Sequence, residues 1–156
     1  MPVSAANFKP CLWKEGEDEV IFLPRPIVSG GPQWRWKKHL TEIPMVAGAL
    51  VDSPSMQGTP ITLSGLFDLE DGTVVYTEAD MWAYYKRLLA YMNVTDDERL
   101  ELFLYYDADA EVYEKFISVT PESFQVNLGD QPGQLWSWTG TWFAEDPTIY
   151  QTEPGS

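Results

Sequence analysis

The sequence predicts a mainly-β domain of the α+β class with a single helix. Three observations point there. Twelve Pro and 11 Gly are spread along 156 residues and cut the chain into strand-sized pieces. Several of these pieces alternate apolar and polar residues with a period of two. Only one stretch, Thr77 to Met92, places its apolar residues at helical spacing. Aromatic residues make up 14% of the chain, too many for a disordered acidic polymer and enough to fill a core.

Taken in order, Val20-Ile21-Phe22-Leu23 is a strand-sized apolar run that Pro24-Arg25-Pro26 stops, and Gly30-Gly31-Pro32 reads as a turn. From Gln33 to Leu40 the pattern alternates, with Trp34 and Trp36 on one face and Arg35 and Lys37 on the other. Residues 43–60 carry Pro44, Gly48, Pro54, Gly58 and Pro60 among Met45, Val46, Ala47, Ala49, Leu50 and Val51. This is either a long loop that becomes ordered against a neighbouring subunit, or a short strand with an irregular connection. Ile61 to Phe67 alternates again, Asp71-Gly72 is a hairpin dipeptide, and Val74-Val75-Tyr76 is the returning strand.

The helix is expected over about 78–92, with Thr77 as N-cap and Asp80 three residues on in the manner of a capping box. Met81, Tyr84, Tyr85, Leu88, Leu89 and Met92 form its apolar face, Lys86 and Arg87 lie opposite, and Asn93 ends it. Thr95 to Glu98 reads as a turn. Leu100 to Tyr106 is a strand, Asp107 to Ala110 a hairpin turn, and Glu111 to Val119 the next strand. Pro121-Glu122-Ser123 is expected to break it, with Phe124 to Leu128 continuing the pairing. After the loop Gly129 to Gly133 comes a last strand, Gln134 to Ala144, with Trp136, Trp138 and Trp142 on one face. No repeat or linker interrupts residues 1–156, so one domain is expected, with about eight N-terminal residues and the last six frayed.

Twenty-four acidic residues against ten basic ones leave a net charge of −14, which argues against binding nucleic acid by phosphate neutralisation. A single cysteine, Cys11, excludes an internal disulfide framework and a zinc site built from several thiolates. No apolar run approaches the roughly 18 residues of a membrane span. The first six residues lack the charged-then-apolar pattern of a signal peptide, so synthesis in a cytoplasm is expected.

No catalytic motif emerges. His39 is the only histidine and belongs to no motif, and Cys11 reads as a small buried hydrophobe. Asp107-Ala108-Asp109-Ala110-Glu111 begins like a calcium loop. Val112 then stands where that loop needs Gly, and Ser118 where it needs Glu, so a solvated hairpin tip is the better reading. No spacing among the carboxylates selects an acid/base pair for glycoside hydrolysis. The expectation is therefore no enzyme, no metal and no cofactor. The Trp-bearing strands leave two readings: flat indoles that stack on sugar rings, as in a carbohydrate-binding or adhesion module, or aromatics of the core and of subunit contacts.

The helix ending Arg87-Leu88-Leu89, the strands Leu100 to Tyr106 and Tyr113 to Val119, and the ending Phe143-Ala144-Glu145-Asp146-Pro147 with Tyr150 resemble the tail-ring domain of phage distal tail proteins. Ile61-Thr62-Leu63-Ser64-Gly65 resembles that family's middle strand. The likeness covers residues 60–150, and the same fold occurs in phage tail tube proteins. It implies a β-sandwich or split barrel flanked by one helix, with a long loop, 43–60, that contacts a neighbour. It further implies a homohexameric ring at the tail tip or baseplate that joins the tail tube protein to the hub proteins of the tip. DNA would pass through the lumen unbound, and the protein would reside in the virion. The chain is too short for the second, galectin-like domain of fuller distal tail proteins. On this reading the interface residues are Trp34, Trp36, Met45, Val46, Leu50 and Val51.

Overall fold

A computed structural model describes residues 9–37, 40–42, 49–51, 55–56, 58–70, 73–74, 77–95, 98–128 and 136–156. In chain order the elements are β1 (Cys11–Lys14), β2 (Ile21–Phe22), β3 (Arg25–Pro32), β4 (Trp36–Lys37), β5 (Leu40–Glu42), β6 (Ala49–Val51), β7 (Ser55–Met56), β8 (Thr59–Glu70), β9 (Thr73–Val74), α1 (Glu78–Met92), β10 (Leu100–Asp107), β11 (Val112–Phe116), β12 (Val119–Asn127) and β13 (Ser137–Ala144). Two antiparallel sheets result, ordered β11-β10-β1-β2 and β12-β13-β8-β3, with β9 paired to β8. They do not close into a barrel.

The core is where the inner faces of both sheets meet helix α1. Leu12, Ile21, Leu100, Leu102 and Phe116 come from the first sheet, Ile61, Leu63, Phe67, Trp138 and Trp142 from the second, and Met81, Tyr84, Leu88 and Met92 from the helix. The helix lies where its spacing puts it. Thr77 Oγ1 accepts from the Asp80 N–H at 3.1 Å, which satisfies one of the first-turn donors. The last turn holds no basic residue of its own. Lys14 of β1 reaches across instead and donates to the Ala90 and Asn93 carbonyls. Tyr85 is half-buried and Leu89 exposed, so the buried face is narrower than the apolar pattern.

Trp138 shows how the second sheet makes room for large rings. Its indole packs over Gly65 of β8, where a Cβ would lie 3.0 Å from Nε1, and that Nε1 donates to the Pro24 carbonyl at 3.1 Å. The residue is 1% exposed, so burying its ring comes with its one polar atom satisfied.

Four segments depart from the sequence reading. Pro24-Arg25-Pro26 does not end the sheet, and Gly30-Gly31-Pro32 is not a turn: all but Pro24 belong to β3. Proline lacks an N–H and survives in a strand only at an edge or bulge. β3 is such an edge, with register shifts at Arg25/Ile27 and Ile27/Ser29. Gly30 has φ +121°, and a Cβ there would collide with the Thr62 carbonyl of β8, so glycine is what lets the two backbones approach.

Pro121-Glu122-Ser123 does not break the following strand either. It sits at a register shift inside β12, the opposite edge of the same sheet. The actual break is at Ile117-Ser118, where the chain leaves the first sheet and enters the second.

Of residues 43–60, Ala49–Val51 and Ser55–Met56 form short strands, in line with the second of the two readings. Leu40, Thr41 and Glu42 pair with Val51, Leu50 and Ala49, and Trp36 and Lys37 with Met56 and Ser55. The two short ladders are nested, so the segment is the returning limb of a two-stranded extension. Among the described residues of the predicted strand 33–40, Trp36–Lys37 and Leu40 are in strands and 33–35 are not. The Val74 return holds, as Leu69 pairs with Val74.

The last six residues, expected to fray, are tied to the outer face of the first sheet, as described below. The N-terminal eight residues, His39, Asp71-Gly72, Val75-Tyr76 and 129–135 lie outside the described residues.

Candidate assembly surfaces

A strand alternates faces, and β10 is buried on both. Leu100 and Leu102 point into the core, while Glu101 and Phe103 on the other face are 0% exposed. What covers them is the end of the chain. Tyr150 exchanges both backbone hydrogen bonds with Lys115 at 2.9 Å. The Lys115 ammonium donates to Glu101 Oε1 at 2.9 Å, to the Glu153 carbonyl at 2.7 Å and to the Ser156 carbonyl at 3.1 Å. Its three donors are thus all used. Gly155 N–H donates to Glu101 Oε1 at 3.0 Å, and the Arg99 guanidinium lies 3.0 Å from Glu101 Oε2. Two opposite charges are buried together and the chain terminus supplies the remaining partners. At the root of this segment the Tyr150 hydroxyl donates to Asp146 Oδ2 at 2.7 Å. That bond, with the Thr148 N–H, holds the Asp146 carboxyl below its ordinary value and pushes the Tyr150 hydroxyl up.

The second sheet is left open. Among the described residues no strand pairs with the outer edge of β3 or of β12. Apolar groups stand beside both: Val28 is 66% exposed and Leu128 57%. Next to β12, Phe124 stacks between Tyr85 of α1 (6.2 Å, 20°) and Trp138 (5.6 Å, 19°). Trp82 is 45% exposed and meets Trp136 edge to face at 6.4 Å. A shallow groove of about 300 Å³ separates Leu89 and Met92 from Pro121 and Phe124. Unpaired edges flanked by apolar side chains are surfaces that other chains cover.

The third surface is the extension. Trp34 at its root is half-buried, its ring 5.8 Å from Phe116. Trp36, two residues further, is 51% exposed. The backbone of Leu50 and Val51 lies in β6, opposite Thr41 and Leu40. Met45 and Val46 lie outside the described residues. Trp36 thus lies in the β4–β7 ladder and the backbone of Leu50 and Val51 in the β5–β6 ladder, with Trp34 two residues before Trp36.

A cleft of about 760 Å³ opens beside β2. Phe22 and Tyr106 meet edge to face at its base, 5.6 Å apart. Asp18 and Glu19 line it from the turn before β2, Asp107 and Asp109 from the turn after β10, with Lys9 and Arg87. Close by, the Tyr91 hydroxyl donates to the Glu19 carbonyl at 2.8 Å. Burial, then the nearby Glu17, pushes its pKa up.

Trp136, Trp138 and Trp142 are 5%, 1% and 0% exposed, so this strand presents no indole row for a sugar. Cys11 is buried. Among the described residues no group of three or more His, Cys, Asp or Glu side chains is placed to hold a metal ion. Nor is any helix among them long and apolar enough to cross a membrane. The sequence reading missed the Glu101–Lys115 pair. Its trace is Glu101 as the lone charge in the apolar and aromatic run Leu100 to Tyr106; Lys115, beside Glu114, gives no such signal.

No protein-family model and no curated protein matches the sequence. Solved structures do. The chain is similar to the Dit protein of phage SPP1, described as a paradigm of the hub adsorption apparatus in phages that infect Gram-positive bacteria, with TM-score 0.54 and 15% identity over 91% of this chain and 52% of that one. It is also similar to the cap that terminates the tube of the anti-feeding prophage (TM-score 0.49, 15% identity, 97% and 94% covered). A third likeness is to the sheath–tube complex of an extracellular contractile injection system (TM-score 0.49, 16% identity, 93% and 90% covered). The chain spans about half the length of SPP1 Dit and shares its fold over that part.

Proposed function

We propose that the protein is a structural subunit of a phage tail: a homohexameric ring at the tail tip or baseplate that joins the tail tube to the tip complex. The observation that carries this is the fold shared with SPP1 Dit across 91% of the chain. The open edges of the second sheet and the two-stranded extension support it, since head-to-tail contacts between such surfaces close a ring by rotation. Within the ring the excess of carboxylates keeps the lumen from holding DNA phosphates, so that DNA slides through without binding. The role is architectural rather than catalytic, and the protein resides in the virion after synthesis in the host cytoplasm.

Light scattering on a sizing column and electron microscopy of the purified protein test this. Six copies around a lumen are expected; a strictly monomeric protein without a lumen, absent from particles, overturns it. Leu50→Asp together with Val51→Asp is expected to leave the circular-dichroism spectrum of the monomer unchanged and to abolish the ring. Rings of normal size from that variant place the contact elsewhere.

A further inference from the structure

Charge is unevenly distributed along this chain. Arg35, Lys37 and Lys38 are three of its ten cationic residues and fall within four successive sequence positions, with no carboxylate between Gln33 and His39. All 24 carboxylates and the other seven cations lie outside residues 33–39.

The cleft beside β2 has the opposite character. Its two cations are drawn onto aromatic faces: Lys9 Nζ lies 6.0 Å from the Phe22 ring centre and the Arg87 guanidinium 5.6 Å from that of Tyr84. Among the described residues no cation forms an ion pair with Asp18, Glu19 or Asp109, and all three are exposed. The cleft volume, about 760 Å³, is in the range of about 300–1,000 Å³ that takes up a few side chains. Its lining sets Phe22 and Tyr106 beside Asp18, Glu19, Asp107 and Asp109.

We infer that this cleft receives the Arg35-Trp36-Lys37 segment of a second copy of the chain. The inference rests on the ring reading above and names one contact that makes it. The half-exposed Trp36 has an aromatic surface to cover it, and the cations on either side of it meet the unpaired carboxylates. Trp and Arg are the residues that most often carry the energy of an interface, and charge complementarity fixes which way the neighbour docks. The contact is head to tail, because extension and cleft are different surfaces of one subunit.

Charge reversal tests it on the full-length protein. Asp18→Lys with Asp109→Lys, and separately Arg35→Glu with Lys37→Glu, are each expected to weaken self-association by about tenfold or more, and the four changes together to restore most of it. Association of the wild type is expected to fall as salt rises. A photo-reactive benzoylphenylalanine in place of Trp36 is expected to cross-link to the Phe22 or Tyr106 peptide of another copy. Intact rings that neither reversal weakens, or cross-links that miss the cleft, overturn this contact and leave the ring standing. Wild-type protein that is monomeric at every concentration overturns both. Because the cross-link is read in otherwise unaltered protein, a reversal variant that misfolds does not blunt the test.

Discussion

The two sheets of this molecule end in opposite ways. The outer face of the first is finished by the protein's own chain: Tyr150 pairs with Lys115, Glu153 and Ser156 accept from its ammonium, and Gly155 donates to Glu101 Oε1. The second ends, among the described residues, at two unpaired edges, β3 and β12, both interrupted by proline and by register shifts. Where the chain closes a surface itself, the structure accepts buried charge. Where it does not, the edge is irregular and flanked by exposed apolar residues. An irregular edge discourages random strand addition while leaving a shape that one partner can match. The contrast separates a sheet face that the chain finishes itself from sheet edges that are left for a neighbour.

The sharpest way to break this contrast is to unbalance the closed side. Lys115→Met leaves Glu101 buried with Arg99 as its only charged partner and is expected to cost about 3–5 kcal/mol in urea unfolding. Adding Glu101→Leu is expected to recover much of that loss. If the single change is silent, the terminal segment is not a closed cover. A smaller effect is expected at the open edge. Gly30→Ala must relieve both a φ of +121° and the contact with the Thr62 carbonyl, at about 1–3 kcal/mol. Amide exchange is expected to quicken along β3 and the facing residues of β8 while β10 and β11 stay protected.

The smallest effect concerns the root of the terminal segment. The Asp146 carboxyl titrates below its ordinary value of 3.8 because Tyr150 donates to it. A carboxyl depressed by folding stabilises the folded state above its unfolded pKa, and that contribution is lost as pH falls through the folded one. The wild type is therefore expected to lose slightly more stability than Tyr150→Phe as the pH drops below about 4, seen as converging thermal midpoints.

Sequence alone located the parts governed by local rules. Thr77 capping and the spacing of Met81, Tyr84, Leu88 and Met92 place helix α1 at the predicted residues. The alternation around Trp138 and Trp142 marks a core strand. Long-range pairing escaped it. Pro26 and Pro121 read as breakers because nothing local says that a strand lies at a sheet edge. The terminal Gln151 to Ser156 looked frayed because its partners, Glu101 and Lys115, are some forty to fifty residues away. The surfaces were legible in composition only: Trp36 and its basic neighbours stand out in an acidic chain, whereas the cleft is assembled from segments that meet only in the fold.

The two-residue crossing at Ile117-Ser118 has a mechanical consequence. A neighbour that grips β12 pulls on a strand whose backbone passes directly into β11, next to Lys115. Tension applied at the edge runs along β11, and the ladder to β10 resists it in shear, with many hydrogen bonds sharing the load instead of parting one at a time. The strand pair that holds the buried Glu101–Lys115 ion pair thus stands in series with the open edge β12.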